Sequence, residues 1–293
     1  MSIVIPVYNQ ASYLAQTIES VLAQDHPNVE CIVVDDGSTD DSATVAARYG
    51  GRLLLMRQAN GGQALAINAG FRRSRGDYVG YLSSDDTIDP TLVSRAMVFF
   101  ADQPQQSMVV FPKYRTIDPN NALMNAECPS FDGVKQMVEQ FRCNIGPGAL
   151  FSRETMRTLN GWNPDYRQIP DYEFWLRAAR IASFHQLSAV LSSFRVHAGS
   201  QTFAPSSFAK ADESIRLASD LDAALLPAGL DSHRFRASAF VYSACLHLRS
   251  RRFAIGMRRY AGALLHSKRA ALRFDAIKRI VRSVVAAATL KRD

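Results

Sequence analysis

Near-continuous runs of apolar, largely β-branched residues constrain this chain more than any other feature: Ser2–Val7, Val29–Val34, Leu53–Met56 and Tyr78–Leu82. A strand with one wet face alternates polar and apolar residues, so a run without that alternation is buried on both faces. The segments between the runs carry helical signals. Leu14, Ile18, Val21 and Leu22 fall at i, i+4, i+7 and i+8 of Tyr13–Gln24, one face of a helix. Asp40 or Asp41 is placed to cap a helix through about Tyr49, Gly62–Arg73 reads as helical, and Pro90 suits the first position of a helix to about Ala101. A fifth strand is predicted over Met108–Pro112. Strand, helix, strand at this spacing predicts right-handed crossovers and a mostly parallel, twisted sheet with helices on both faces, an α/β fold.

Beyond residue 114 the pattern changes twice. Short strands near Ile145–Phe151 and Val190–Val196 alternate with helices near Phe131–Phe141 and Asp171–Ile181. From about residue 208 to 290 the pattern is helical, with breaks near Pro227–Gly229 and Ser250–Arg252. This predicts two parts, an α/β domain over 1–205 and a helical extension over 206–293. With 47% apolar and 21% charged residues, wholesale disorder is excluded. The charge is divided unevenly. Residues 206–293 hold 17 Lys/Arg against 7 Asp/Glu, a net of +10, while 1–205 hold 17 against 20, a net of −3. A basic extension on a near-neutral domain points to a surface that meets something anionic.

Cys31, Cys128, Cys143 and Cys245 form no CxxC pair, which fits a reducing compartment. No basic segment followed by an apolar one opens the chain. Val284–Leu290, the longest apolar run near the end, is too short to span a bilayer. The expectation is a cytoplasmic protein, soluble or peripheral on a membrane.

In open parallel sheets ligands bind beyond the carboxyl ends of the strands. Asp35-Asp36 follows the second strand and Asp85-Asp86 the fourth. Each pair alone reads as solvated turn residues. Two pairs at equivalent strand ends read as carboxylates awaiting a compensating cation or ligand donors, as at a site for Mg²⁺ or Mn²⁺ and phosphate. There is no GxGxxG after the first strand, no GxxxxGK[ST], no HExxH and no GxSxG, which removes the signals of dinucleotide-binding folds, P-loop NTPases, zincins and nucleophile-elbow hydrolases.

Three segments, Ser2-Ile-Val-Ile-Pro-Val-Tyr-Asn9, Ile32-Val-Val-Asp-Asp-Gly-Ser-Thr-Asp40 and Gly76-Asp-Tyr-Val-Gly-Tyr-Leu-Ser-Ser-Asp-Asp86, resemble the family 2 glycosyltransferases. Asp171-Tyr-Glu-Phe-Trp-Leu-Arg177 and Phe194-Arg-Val-His-Ala-Gly-Ser200 match further parts of that pattern. The resemblance covers about residues 1–205 and not the tail. It implies a GT-A-like fold and inverting sugar transfer from a nucleotide-diphosphate donor, with uridine diphosphate favoured. The acceptor it implies is a glycan or lipid-linked hydroxyl in cell-envelope or exopolysaccharide synthesis. On matching positions it implies Pro6, Tyr8 and Asn9 against the base, Asp36 on the uracil N–H, Asp85 on the ribose, Asp86 and His197 at a divalent metal, and Asp171 as the catalytic base. Ser83-Ser84 stands where the fullest form of the acidic motif carries another acid, and Pro170 where the base motif often carries Glu.

Other readings stay open. The trimmed acidic motif allows a non-catalytic nucleotide-sugar or glycan-binding module, and strand-end acids with a metal also suit a nucleotidyltransferase. Trp162 and Trp175 suit either the core or a sugar-stacking platform. Glu173 reads as an acceptor contact or as a solvated or salt-bridged residue, and Gly146-Pro147-Gly148 as a donor-pocket lining or a turn. Between Arg249 and Arg282 eleven basic residues interleave with apolar ones. They form either a solvated face or an interfacial surface for anionic lipid. No aromatic platform for nucleic acid is present.

Overall fold

A computed structural model describes residues 1–102, 107–127, 130–200, 204–220 and 229–289. Cys128, Pro227 and Leu290 lie outside the described residues. The strands are β1 (Ser2–Val7), β2 (Glu30–Asp35), β3 (Leu54–Arg57), β4 (Tyr78–Tyr81), β5 (Thr87–Ile88), β6 (Met108–Ile117), β7 (Leu123–Asn125), β8 (Leu150–Ser152) and β9 (Ser183–Arg195). The helices are α1 (Ala11–Leu22), α2 (Ser42–Ala47), α3 (Gln63–Arg73), α4 (Leu92–Asp102), α5 (Val134–Glu139), α6 (Arg153–Thr158), α7 (Pro170–Ala178), α8 (Phe208–Ala211), α9 (Glu213–Asp220), α10 (Ser232–Arg249), α11 (Phe253–His266), α12 (Lys268–Ala271) and α13 (Phe274–Thr289).

One sheet runs in the order β3-β2-β1-β4-β8-β6-β9-β5, with β7 paired to β6. Its first half, β3-β2-β1-β4, is parallel, as the alternation of strand and helix requires. Beyond β4 the sheet is mixed: β8 is antiparallel to β4 and β6, β6 and β9 run parallel, and β5 is antiparallel to β9. β1 explains its own sequence. Ile3, Ile5 and Val7 join a core with Leu14 and Ile18 of α1 and Leu92, Val93 and Phe100 of α4. Val4 faces the other way, onto α3, where a Cβ on Gly70 would come within 2.4 Å of Val4 Cγ1.

Several strands exceed or escape their sequence reading: β6 runs on to Ile117, past the predicted end at Pro112, and β7 has no counterpart in it. β9 begins at Ser183, seven residues ahead of the apolar run at Val190, because Ser183–Gln186 pair with Met108–Phe111. Polar Ser183, His185 and Gln186 hide that pairing from a hydrophobic pattern. Two-residue β5 carries no pattern at all. At α2 the capping is done by Asp40, whose carboxylate accepts from Ser42 N–H at 2.9 Å, Ser42 Oγ at 2.6 Å and Ala11 N–H at 3.0 Å. Asp41 occupies the N-cap position without a side-chain bond.

The chain forms two compact units. The first comprises Met1–Phe131, Asn144–Asp165 and Arg177–His197; the second comprises Asp132–Cys143, Tyr166–Leu176 and Ala198–Asp293. In the second unit α10 is the central helix, and the interhelical core is rich in alanine: Ala237, Ala263, Ala270, Ala271 and Ala276 pack around Val241 and Cys245. Small side chains bury little area each, and a polar clamp adds to them. Asp212 Oδ1 accepts from Ser243 Oγ at 2.6 Å, His247 Nε2 at 3.1 Å and Arg259 Nε at 3.1 Å. His247 is fully buried, and its Nδ1 accepts from Arg252 Nε at 2.8 Å. With both ring nitrogens assigned, the imidazole is neutral and protonated only at Nε2.

This clamp makes the helical unit acid-sensitive. Burial, then the Arg252 and Arg259 charges, lower the His247 pKa from its ordinary 6.5 against the pull of Asp212. Burial alone would raise Asp212, but the bonds from Ser243, Arg259 and His247 outweigh it and hold the carboxyl below its usual range. The unfolded chain therefore binds the His247 proton first, and stability falls as pH drops below about 6.5, then further through the Asp212 range. Thermal melts between pH 8 and pH 4 (roughly the span of both groups) should show this decline, and Asp212→Asn should flatten only its acid end, where Asp212 itself titrates. A wild-type midpoint independent of pH across that span would contradict the assignment.

Candidate active site

The turn after β4 is where the acids gather. Leu82 N–H donates to Val4 O at 2.9 Å, ending the strand, and Asp86 N–H closes onto Ser83 O at 3.1 Å. From beneath, the buried Thr17 hydroxyl lies 2.9 Å from Ser84 O and 2.7 Å from Asp86 O. The next two residues are β5, with Thr87 opposite Ser193 and Ile88 opposite Ser192. That antiparallel register carries Arg195, at the end of β9, onto the acidic pair. Arg195 N–H donates to Asp86 Oδ1 at 2.9 Å and its Nε to Asp85 O at 2.8 Å.

Arg195 is fully buried. Its guanidinium also donates to Gln16 Oε1 at 2.8 Å, Asn121 Oδ1 at 2.9 Å and Asp118 O at 3.2 Å, and lies 4.8 Å from the centroid of the Tyr13 ring. A charge in the interior persists only when its donors are satisfied, and the planar fork reaches all of these acceptors at once. The sequence motif contains Arg195, yet nothing local marks it as buried. Thr17 did leave a signal: a polar residue on the apolar face of α1.

His197 Nε2 lies 2.9 Å from Asp85 Oδ2, and its ring packs against Tyr13 at 4.8 Å. Asp86 is buried. Burial, then the neighbouring Asp85 charge, push its carboxyl well above the usual range, against the opposing Arg195 N–H and guanidinium. Such a carboxylate is only partly compensated within the chain. Among the described residues no group of three His, Cys, Asp or Glu side chains forms a protein cage for a metal. The pair fits the sparser arrangement in which Mg²⁺ or Mn²⁺ takes one or two carboxylates and draws its remaining ligands from phosphate and water.

At the ends of β1 and β2 a second corner is built. Pro6 is buried within β1, and Tyr8 is exposed. Asn9 sits at φ 53° and its Oδ1 accepts from Thr39 N–H at 2.8 Å, so its side chain braces the 37–40 loop. Asp35 holds Ser38 N–H at 2.9 Å and faces Arg57 Nε at 3.1 Å. Asp36 accepts from Gln58 Nε2 at 2.8 Å, Gly61 N–H at 2.9 Å and Gly62 N–H at 2.7 Å. Two carboxylate oxygens offer about four acceptor positions, so roughly one is left for a ligand. Gly37, at φ 76°, approaches this loop so closely that a Cβ would meet Asn60 N at 2.9 Å.

Asp171 belongs to the second unit, in the first turn of α7, where Tyr172 N–H donates to its Oδ1 at 2.8 Å. Burial raises its carboxyl above the usual range against that bond. The segment leading into α7 is fixed by Glu213, a buried acid absent from the sequence reading. Its carboxylate accepts from the N–H groups of Arg167 at 2.9 Å, Gln168 at 2.6 Å and Ile169 at 3.3 Å. Tyr242, its hydroxyl pushed up to about 12 chiefly by burial, lies near enough to sense Asp171's charge.

Several candidates have other roles. Trp162 and Trp175 are core residues, Trp162 packing against Phe71, Tyr81 and Phe151, so neither is a sugar platform. Glu173 is buried rather than solvated. Gly146 makes room for Tyr114, whose ring a Cβ would strike at 2.2 Å, and Gly148 makes room for Leu92.

The sequence pattern of glycosyl transferase family 2 matches residues 2–159. The chain belongs to that family. An uncharacterized glycosyltransferase of Rickettsia prowazekii is 28% identical over 69% of this chain and 65% of its own length; one of Rickettsia typhi is 29% identical over 67% and 64%. The chain thus spans just under two thirds of these relatives. The hyaluronan synthase of Pasteurella multocida is 28% identical over 67% of this chain and 20% of its own. Among solved structures, S. aureus TarS 1–349 in complex with UDP-GlcNAc superposes with a TM-score of 0.65 at 17% identity, covering 99% of this chain and 91% of that one. The mannosyltransferase PcManGT of Pyrobaculum calidifontis, in complex with GDP-Man and Mn²⁺, gives 0.58 at 18%, covering 98% and 85%. The fold of this family 2 chain is accordingly GT-A-like, a mixed sheet flanked by helices with a C-terminal helical part.

Arg195→Lys keeps the charge but cannot make the fork's bonds to Asp85, Asn121 and Gln16 together. Breaking a buried charged network costs about 3–5 kcal/mol, which for a protein of this size lowers Tm by roughly 6–15 °C. Calorimetry of the variant measures this, and an unchanged Tm would remove Arg195 from its organising role.

Proposed function

We propose that this protein is an inverting, metal-assisted glycosyltransferase. It moves a sugar from a nucleotide-diphosphate donor, UDP-linked, to a hydroxyl of a glycan or lipid-linked acceptor in cell-envelope or exopolysaccharide synthesis. Its place is cytoplasmic, peripheral on the inner membrane face. The observation that carries the reading is the Asp85-Asp86 turn, with Asp86 buried, held by Arg195 at the carboxyl end of the parallel strands of a family 2 chain. A UDP donor is supported by TarS, solved with UDP and UDP-GlcNAc, and by Asp36, a carboxylate able to accept from a base N–H.

In this reading Pro6, Tyr8 and Asn9 shape the base pocket, Asp36 takes the uracil N–H, and Asp85, oriented by His197, meets the ribose. Asp86 and His197 would hold Mg²⁺ or Mn²⁺, which supplies Lewis-acid charge compensation for the leaving diphosphate. Asp171 accepts the proton of the acceptor hydroxyl as that oxygen attacks the anomeric carbon opposite the leaving group. One carboxylate is enough, because no covalent intermediate forms and the configuration inverts, as in inverting glycoside chemistry. The burial that raises Asp171's carboxyl makes it a stronger base than an exposed aspartate.

Asp171→Asn should leave UDP binding intact by thermal shift with Mn²⁺ while transfer or donor hydrolysis falls at least about 100-fold. The acid limb of the wild-type rate profile should lie above the ordinary aspartate value of about 3.9. Undiminished turnover in Asp171→Asn would remove it as the base. The trimmed motif, with Ser83-Ser84 before the acids, supports one second reading, a nucleotide-sugar-binding module. Donor binding with neither transfer nor hydrolysis under any acceptor would favour that reading.

A further inference from the structure

The last helix, α13, is built inside out. Its packed stripe consists of small or short residues, Ala276, Ile280, Ser283 and Ala287, at i, i+4, i+7 and i+11, lying in the interhelical core of the second unit. Its large apolar residues form a separate stripe: Phe274, Ile277, Val281, Val284 and Val285, at i, i+3, i+7, i+10 and i+11. That stripe faces solvent, with Phe274 82% and Val285 55% exposed while Ala287 is 3% exposed. A helix that only had to pack would put the large residues inward. The exposure continues in the preceding turn at Leu272, and Leu265 at the end of α11 is 89% exposed.

The charge around the stripe identifies its partner. Between residues 268 and 282 there are six Lys/Arg and one Asp. One position on from Ile277 and Val281, Lys278 and Arg282 run alongside the stripe and are exposed, and Lys268 and Arg269 are exposed on α12. Lys278 Nζ lies 6.0 Å from the centroid of the Phe274 ring, so the cation sits directly beside the apolar stripe. An apolar ridge flanked by cations is complementary to a surface with acyl chains beneath a layer of negative headgroups. Among the described residues no helix is long and apolar enough to cross a membrane, so the matching geometry is a helix lying in the interface plane.

We propose that the outward face of α13 is a docking surface for an anionic lipid bilayer, Phe274, Ile277, Val281 and Val285 entering the acyl boundary and Lys278 and Arg282 meeting the headgroups. The inference deepens the peripheral placement proposed above and rests on it, but its failure would leave the transfer chemistry untouched, since vesicle binding is measured without turnover.

The test is cosedimentation of the full chain with phosphatidylcholine vesicles, with and without phosphatidylglycerol at about one third of the lipid. The wild type should pellet with the anionic vesicles, bind neutral ones at least about tenfold more weakly, and release as salt rises. The combined Phe274→Ser, Val281→Ser and Val285→Ser variant should lose at least about tenfold in binding, and Lys278→Glu with Arg282→Glu roughly fivefold or more per charge. All these positions are exposed, and an unchanged melt confirms each fold; the charge pair decides the matter should the serine variant unfold. No binding of the wild type to anionic vesicles would overturn the proposal. So would wild-type binding by the charge variant, or self-association lost in the serine variant without vesicle binding, which would make the face an interface between copies.

Discussion

A guanidinium sealed inside the sheet unit sets the terms for the rest of it. Among the described residues Arg195 has no side-chain carboxylate in ion-pair contact, and its bonds go to carbonyls, two amides and the face of an aromatic ring, while its backbone N–H holds Asp86. To satisfy that charge the chain must bring together α1, the turn after β4, the 118–121 loop and the end of β9. The cost of leaving any of those donors unpaired makes the acidic turn rigid. The same charge offsets part of the burial and like-charge penalty on Asp86. The turn can therefore keep two adjacent acids together, Asp86 buried and Asp85 partly so, where a cation and a diphosphate gain from meeting them.

The second unit solves a different problem with similar means. Alanine-rich helices bury little area per residue, and two acids do the tying. Asp212 gathers Ser243, His247 and Arg259, and Glu213, the next residue, gathers three successive backbone N–H groups ahead of α7. One short stretch of chain thereby joins the helices to each other and fixes the segment from which Asp171 projects.

The residues most readable in advance were those whose burial is repeated along the chain. β1, β2 and β4 announced themselves because their interiors are apolar with almost no alternation, and α1 because its apolar residues recur at helical spacing. Asp35, Asp36, Asp85 and Asp86 were legible because pairs of acids at strand ends are costly without a partner. Pairing between distant segments left no such mark. β5 is two residues long, the first third of β9 is polar, and Glu213 lies more than forty residues from the amides it holds. Trp162 and Gly146 stayed open between two roles for the opposite reason: an aromatic or a glycine has the same letter whether it faces a sugar or a neighbouring ring.

By itself the sequence determined the order of strands and helices, the parallel half of the sheet, the strand ends at which acids collect, and the basic character of the tail. These are properties of local period and composition, which the chain carries whether folded or not. Only the tertiary structure decided that Arg195 is buried beneath the acidic turn, that His247 is held neutral, and that α13 turns its large apolar residues outward and its alanines inward. Each of these depends on which surfaces meet. Whether a charge is sealed, a proton excluded or a phenylalanine left in water is settled by the neighbours that pack against it, and those come from parts of the chain that local pattern does not connect.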